Sequence, residues 1–364
     1  MSQESHKKIY WDATKTGNPR YPASGMKQVA NRLFAELEAT CWNIRQVYWH
    51  KRARHFFDSK TKMPILEEAP LITPEIFSES GRQGILDWLK RYEGPKFAIF
   101  YDAIPLRFPE ITWPQSVARH PEYMKMLGTH FDQVLSISKA SQDELHHYWD
   151  WLELKDRPAT RPLQLGADLH FQLRHTNRAK DLKPPWQLLM VGILEPRKNH
   201  ILAIEACEKL HAEGMDLHLH IAGRLNPHFG DPIYDRITEA QRKGLPITWH
   251  KSPDKNFVLK LYRTSHLCLF PSLAEGCGLP VLESLWMGTP VLASNIPSVL
   301  ENSNNRAVQI FEGNHAKDFE EKLRNLLKNP ARLEAMTEQA QQAQLPIWRD
   351  TASQLRSMIP ELED

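Results

Sequence analysis

Apolar positions along the chain follow two alternating periods. Short apolar runs occur at Lys8–Trp11, Cys41–Trp49, Lys96–Tyr101, Gln133–Ile137, Trp186–Val191, Leu217–Ile221, Ile247–His250, His266–Phe270, Pro290–Ser294 and Val308–Phe311, the length of buried strands. Between them lie segments with helical spacing. Met26–Leu37 carries Met26, Val29, Ala30, Leu33 and Phe34 on one face. Gly84–Tyr92, Pro121–Phe131, the segment opened by Ser138, the one from Asn199 to Ala212, the one after Asp254, Val281–Met287, Ala316–Leu327 and Ala331–Gln344 follow the same rule. A last stripe, Trp348, Ala352, Leu355 and Met358, closes the pattern. Strand and helix in alternation predict an α/β protein with parallel sheets. Lys51–Ser80, with Pro64, Pro70 and Pro74, is expected to be an irregular polar excursion.

At 364 residues the chain is too long for one ordinary domain. The polar stretch 169–185, ending in Lys-Pro-Pro, predicts a linker between residues 1–168 and 186–347. Forty-six basic against 44 acidic residues leave a net charge of +2, which gives no global reason to expect nucleic acid as a partner. Lys51, Arg52 and Arg54, and Lys90 with Arg91, are clusters that read as solvated or as attracted to an anionic membrane surface. No apolar run has the length of a membrane span, the N-terminus lacks a secretory core, and the four cysteines show no paired spacing; a cytoplasmic protein is expected.

The chemistry concentrates in Phe270–Ser294. A loop with Gly276, Gly278 and Pro280 joins a strand to a helix, and Glu275 and Glu283 bracket it. The N–H groups of Gly278 and Leu279 open the helix, where backbone donors and the helix dipole suit a diphosphate. Ionised carboxylates beside them suit hydroxyls. Phosphate plus hydroxyls describes a sugar nucleotide. A second strand–loop–helix, Gly192–Lys198 followed by a cap at Asn199, sets Arg197 and Lys198 at a helix start. His218 and His220 share a strand face but have no third ligand at hand, so they read as structural.

The string PSxxEGxGLPVLE, with Glu275 and Glu283, resembles the donor-site signature of retaining glycosyltransferases of group 1 (family 4), whose fold is GT-B. GxLEPRKN resembles their second donor signature. Ile193 stands there where many relatives carry an additional Arg, a charge Arg197 is expected to supply. SGMKQVANRLF resembles the N-terminal glycine loop: Gly25 matches and Lys27 replaces a second glycine. YDAIPLRFPE is similar to a segment that carries His where this chain has Tyr101, whose hydroxyl can still donate a hydrogen bond, and Asp102 matches; LQLGAD, Leu163–Asp168, resembles the last strand of the family's first domain and its turn.

The resemblance implies two doubly wound Rossmann-like domains with an interdomain cleft. The first would be an acceptor-side domain completed by a returning helix, 348–364, and the second would bind the donor. It implies transfer of a hexose from a nucleotide diphosphate sugar to a glycan or lipid-linked glycan hydroxyl, with retention. Lys198, Arg197, Gly192, Gly278 and Leu279 would meet the phosphates, Glu283 the ribose, Glu275 the transferred sugar, and Gly25 and Asp102 the donor or acceptor from the other side. No metal and no cofactor are expected. The EPRKN form with IPLxxPE looks most like bacterial mannosyl- or rhamnosyltransferases of surface polysaccharide, so GDP-mannose is the expected donor. A UDP- or dTDP-sugar, an epimerase of the same fold, and a non-catalytic nucleotide- or glycan-binding protein are the rivals.

Overall fold

The computed structural model describes residues 8–21, 24–40, 43–66, 68–169, 174, 182–303, 307–313 and 315–359. The chain forms two compact units. One holds the residues up to Gly166 and those from Pro346 onward; the other is Ala167–Leu345.

In the first unit the elements run β1 (Lys8–Asp12), α1 (Gly25–Ala39), β2 (Asn43–His50), β3 (His55–Asp58), β4 (Leu71–Thr73), α2 (Ile85–Arg91), β5 (Lys96–Phe100), α3 (Ile104–Arg107), α4 (Pro114–His130), β6 (Gln133–Ser136), α5 (Lys139–Trp151) and β7 (Ala159–Pro162). They build one sheet, ordered β3-β2-β1-β4-β5-β6-β7. All its pairs are parallel except β2 with β3. Apolar side chains such as Tyr10, Val47, Leu71, Phe100, Val134 and Trp149 meet in its core.

The stretch 51–80 is not the irregular excursion expected. It contains β3, a hairpin partner of β2, and β4, which lies between β1 and β5 at the middle of the sheet. A three-residue strand flanked by prolines shows no periodicity, yet all three residues of β4 are buried, as a central strand demands. Helix α4 begins at Pro114, seven residues before the expected start. Pro114 occupies a helix-start position, where its missing N–H costs nothing, and the helix runs on through Pro121. Leu163–Asp168 is not a strand. The last strand is β7, and Leu163 adds one more ladder bond to Ser136 before the chain departs.

The second unit runs β8 (Trp186–Val191), α6 (His200–Ala212), β9 (Leu217–Gly223), α7 (Asp231–Arg242), β10 (Ile247–Lys251), α8 (Lys255–Thr264), β11 (Leu267–Phe270), α9 (Leu279–Trp286), β12 (Val291–Ser294), α10 (Pro297–Leu300), β13 (Val308–Phe311), α11 (Ala316–Leu327) and α12 (Pro330–Gln342). Its parallel sheet has the order β10-β9-β8-β11-β12-β13, with the strand order reversing between β8 and β11. Helix α7 escaped the sequence pattern because only Ile233, Ile237 and Ala240 are buried on an otherwise charged surface. Of the predicted linker 169–185, only Leu169, Arg174 and residues 182–185 are described.

His218 and His220 acquire a third imidazole from β10. The rings of His218 and His220 stack at 4.2 Å, and those of His220 and His250 at 5.3 Å. His220 makes hydrogen bonds to His250 (3.1 Å) and to Gln187 (2.9 Å), and burial holds its pKa down at about 4. The stack is a neutral hydrogen-bonded row, and no metal-binding group of three His, Cys, Asp or Glu forms among the described residues.

Helix α13 (Trp348–Ser357) returns to the first unit and lies on α1. Its side chains take over the backbone groups that a strand at 163–168 would have paired. Gln354 Oε1 accepts from Gln164 N (2.9 Å), and Thr351 Oγ1 donates to Gln164 O (2.7 Å). A Cβ on Gly166 would sit 2.3 Å from Trp348 N, so only glycine permits this approach.

Trp348 is 2 % exposed, and its loss would leave a large void. Trp348→Ala is expected to destabilise the first unit by about 3–5 kcal/mol. Urea unfolding followed by hydrogen exchange should show the loss in α1 and α13, with the α6 and α9 amides of the second unit unchanged.

Candidate functional site

Two loops meet at the carboxyl ends of β8 and β11, beside the point where the second unit's strand order reverses. This is where open parallel sheets bind ligands. The first, Gly192–Asn199, contains a single 3₁₀ turn over Pro196–Lys198. It packs so tightly on the end of β9 that a Cβ on Gly223 would lie 1.8 Å from Gly192 O. A Cβ on Gly192 would come within 3.2 Å of Lys198 Cε, so this glycine gives the lysine its path. Asn199 does not cap α6 with its side chain; it takes a left-handed conformation, φ 54°, that turns the chain into the helix.

The second loop, Pro271–Gly278, carries Glu275. Its carboxylate accepts from Lys198 Nζ at 2.5 Å and from Arg197 at 2.7 Å. Burial would raise the Glu275 pKa, but Arg197, Lys198 and a bond from Ser272 prevail and hold it at about 2. The partners shift differently: burial lowers the Lys198 pKa in spite of Glu275. We take the pair as ionised, because the 2.5 Å contact is matched by a second cation on the same carboxylate.

Arg197, expected to face phosphate, is turned into the protein. It donates to Ala274 O (2.7 Å) and to Glu195 Oε1 (2.7 and 3.1 Å), besides its bond to Glu275. Its charge is met by Glu195 and Glu275, so it holds the loop. Lys198 keeps an ammonium with three donors, one of them on Glu275, over the ring of Phe270. Glu195, Ser298 and Asn302 were not singled out from sequence. Ser298 Oγ donates to Glu275 O (2.9 Å) and Asn302 Nδ2 to Cys277 O (2.7 Å), so the α10 region fastens the loop from behind.

Gly276 is buried in this loop. Gly278 sits at φ 79°, a left-handed conformation that favours glycine, and directs the chain into α9 with Pro280 in its first turn. Leu279 is the first helical residue, so its N–H and that of Gly278 lie at the open end of α9. Glu283 follows one turn later, buried, and accepts from the Tyr262 hydroxyl at 3.0 Å.

The other predicted residues belong to the first unit. Asp102 lines a cavity of about 500 Å³, together with Lys15, Lys27, Glu75, Trp113 and Arg119. Asp102 Oδ1 accepts from Ile104 N (3.1 Å), and its carbonyl bonds His120 Nε2 (2.9 Å). Gly25 begins α1 at the same cavity, next to the capping Ser24, and a Cβ there would touch nothing within 4 Å. Lys27 is anchored on the carbonyls of Asn18 and Tyr21, both at 3.0 Å. Tyr101 does not stand in for the histidine. It is buried, and its hydroxyl is spent on Pro74 O (2.8 Å) and Met26 O (3.3 Å). Beneath the cavity, Arg82 bridges the buried carboxylates of Asp12 and Glu75, a cluster that no motif announced.

Residues 174–343 match the family described as Glycosyl transferases group 1. The serotype-specific mannosyltransferase WbdA of Escherichia coli is 26% identical over 236 residues, covering 61% of this chain and 29% of that protein. The chain thus spans less than a third of that relative. A GDP-mannose-dependent phosphatidylinositol dimannoside mannosyltransferase of Mycobacterium tuberculosis is 32% identical over 148 residues, 39% of this chain and 37% of its own. Among solved structures, sucrose-phosphate synthase from Thermosynechococcus elongatus aligns with a TM-score of 0.72 at 16% identity, over 98% of this chain and 99% of that one. The fold is GT-B, with two Rossmann-like domains.

Glu275 unfolds from a pKa of about 2 to an ordinary carboxylate near 4.5. Its pairing therefore stabilises fully above pH 4.5 and fades as pH falls toward 2. Glu275→Gln is expected to cost about 2–3 kcal/mol at pH 7. The gap between parent and variant should narrow at pH 3, as read from urea unfolding at both pH values.

Proposed function

We propose, on the premise that residues 174–343 match the group 1 glycosyl transferases, that the chain transfers a hexose from a nucleotide diphosphate sugar to a glycan hydroxyl, with retention at the anomeric carbon. The supporting observation is the Lys198–Glu275 pair set beside the open end of α9. In this proposal the diphosphate binds at the N–H groups of Gly278 and Leu279 and the remaining donors of Lys198, which stabilise the charge that grows on the leaving group. Glu275, kept ionised by its two cations, accepts hydrogen bonds from hydroxyls of the transferred sugar. Each carboxylate oxygen has a second lone pair for this purpose. Arg197 holds Glu275 in place, and Glu283 accepts from the ribose. The acceptor hydroxyl attacks the anomeric carbon on the face the diphosphate leaves, and a phosphate oxygen takes its proton.

GDP-mannose is the donor we propose, supported by the names of two relatives, both mannosyltransferases. The proposed acceptor is a glycan of surface polysaccharide, free or lipid-linked. The first unit's cavity, with Asp102, the start of α1 at Gly25 and the exposed Trp113, would take part in holding it. Among the described residues no helix is long and apolar enough to cross a membrane. Contact with an anionic membrane would run through Lys51, Arg52 and Arg54, on the exposed β2–β3 turn, and through Lys90 and Arg91 at the end of α2. The reaction as proposed uses neither metal nor cofactor, since the phosphate charge is met by Lys198 and α9.

Calorimetric titration with GDP, UDP, ADP and dTDP is expected to rank GDP first. Lys198→Ala should weaken that binding about tenfold or more and abolish transfer. Unchanged affinity in the variant would remove Lys198 from the donor site. Transfer from GDP-mannose to a manno-oligosaccharide should persist in EDTA; activity that disappears there and returns with magnesium or manganese would refute the metal-free reaction. Release of GDP only when acceptor is added separates a transferase from an epimerase or a binding protein.

A further inference from the structure

Tyr262, on α8, is fully buried, and its hydroxyl reaches across to α9. It lies 3.0 Å from Glu283 Oε2 and 3.4 Å from Pro280 O. A phenol has one proton to give. The shorter contact is to the carboxylate, and a bond to a charged acceptor is the stronger, so the proton goes to Glu283. Burial beside Glu283 raises the Tyr262 pKa well above 10, which keeps the phenol a donor throughout the neutral range.

The backbone around it is fixed as well. Thr289 Oγ1 donates to Tyr262 O (2.6 Å), and Ser284 Oγ donates to Thr289 O (2.8 Å). The phenol thus projects from a segment that is itself tied to α9. The last torsion of a glutamate side chain has broad wells. A charge-assisted bond from a rigid donor narrows that rotation.

We propose that Tyr262 is a positioning residue for the nucleotide: it sets the plane of the Glu283 carboxylate and so the direction in which Glu283 accepts from the ribose hydroxyls. This rests on the assignment of Glu283 to the ribose made above. It extends the donor site to a residue outside both donor signatures, on a helix that precedes β11.

The test compares each ribonucleotide with its 2′,3′-dideoxy counterpart by calorimetry, using the tightest binder among GDP, UDP and ADP. The parent should favour the ribose form. Tyr262→Phe keeps the ring and removes only the hydroxyl; it should lose about fivefold or more in affinity for the ribose form and less than twofold for the dideoxy form. Glu283→Gln should show the same asymmetry, and Tyr262→Phe added to Glu283→Gln should cost nothing further in ribose preference. Equal losses for both nucleotides in Tyr262→Phe, or none, overturn the positioning role. A parent that binds the nucleotide without distinguishing the two forms removes Glu283 from the ribose and the proposal with it, while leaving the donor site in place. A parent that binds none of the three overturns the donor site as well.

Discussion

A lysine ammonium and a glutamate carboxylate, both buried, can share a protein interior only while they hold each other. Separated, either would face a desolvation cost of several kcal/mol. In this chain that condition ties Lys198, on the loop after β8, to Glu275, on the loop after β11. The glycine path at Gly192, the close approach at Gly223 and the inward turn of Arg197 all serve to bring these two groups together. The loop after β11 in turn determines where α9 starts, and α9 determines where Glu283 stands. The geometry of the second unit's site therefore follows from one electrostatic requirement, met by residues 77 positions apart.

Much of this was legible in the residues. The apolar run Trp186–Val191 and the amphipathic helix Ala316–Leu327 are long enough to declare themselves. Glu275, Gly278 and Glu283 lie within one strand–loop–helix, so their neighbourhood could be read locally. Partnership across the chain could not. Arg197 sits beside Lys198 in sequence, but its guanidinium bonds Glu195 and the Ala274 carbonyl, a choice made by the fold of a loop 77 residues away. Tyr101 looked available for chemistry until the backbone carbonyls of Pro74 and Met26 claimed its hydroxyl. Strand β4 was missed because three buried residues between prolines carry no period at all, and α7 because its core-facing stripe is narrow among charges.

The two units solve the problem of buried charge differently. In the first, Arg82 joins Asp12 and Glu75 beneath a cavity, and Glu75 also accepts from the backbone N–H groups of Lys15 and Thr16. Burial and the neighbouring Asp12 still raise the Glu75 pKa to about 7. In the second, Arg197 and Lys198 both bond the one carboxylate of Glu275 and drive it far toward the ionised form. One carboxylate is thus pushed toward protonation by its surroundings, while the other is held ionised by its cations.

Gly166 and Trp348 touch although the whole of the second unit is threaded between them. On a ribosome, the first unit's sheet emerges early but lacks the side chain that fills the space against α1. The second unit must be made before that side chain appears. The first unit is thus completed last, with the α1 face that α13 covers, Arg32 included, left open through the synthesis of residues 167–345. An encounter between that waiting face and another chain is the hazard built into this order of assembly, and the tight glycine contact at Gly166 is where the hazard ends.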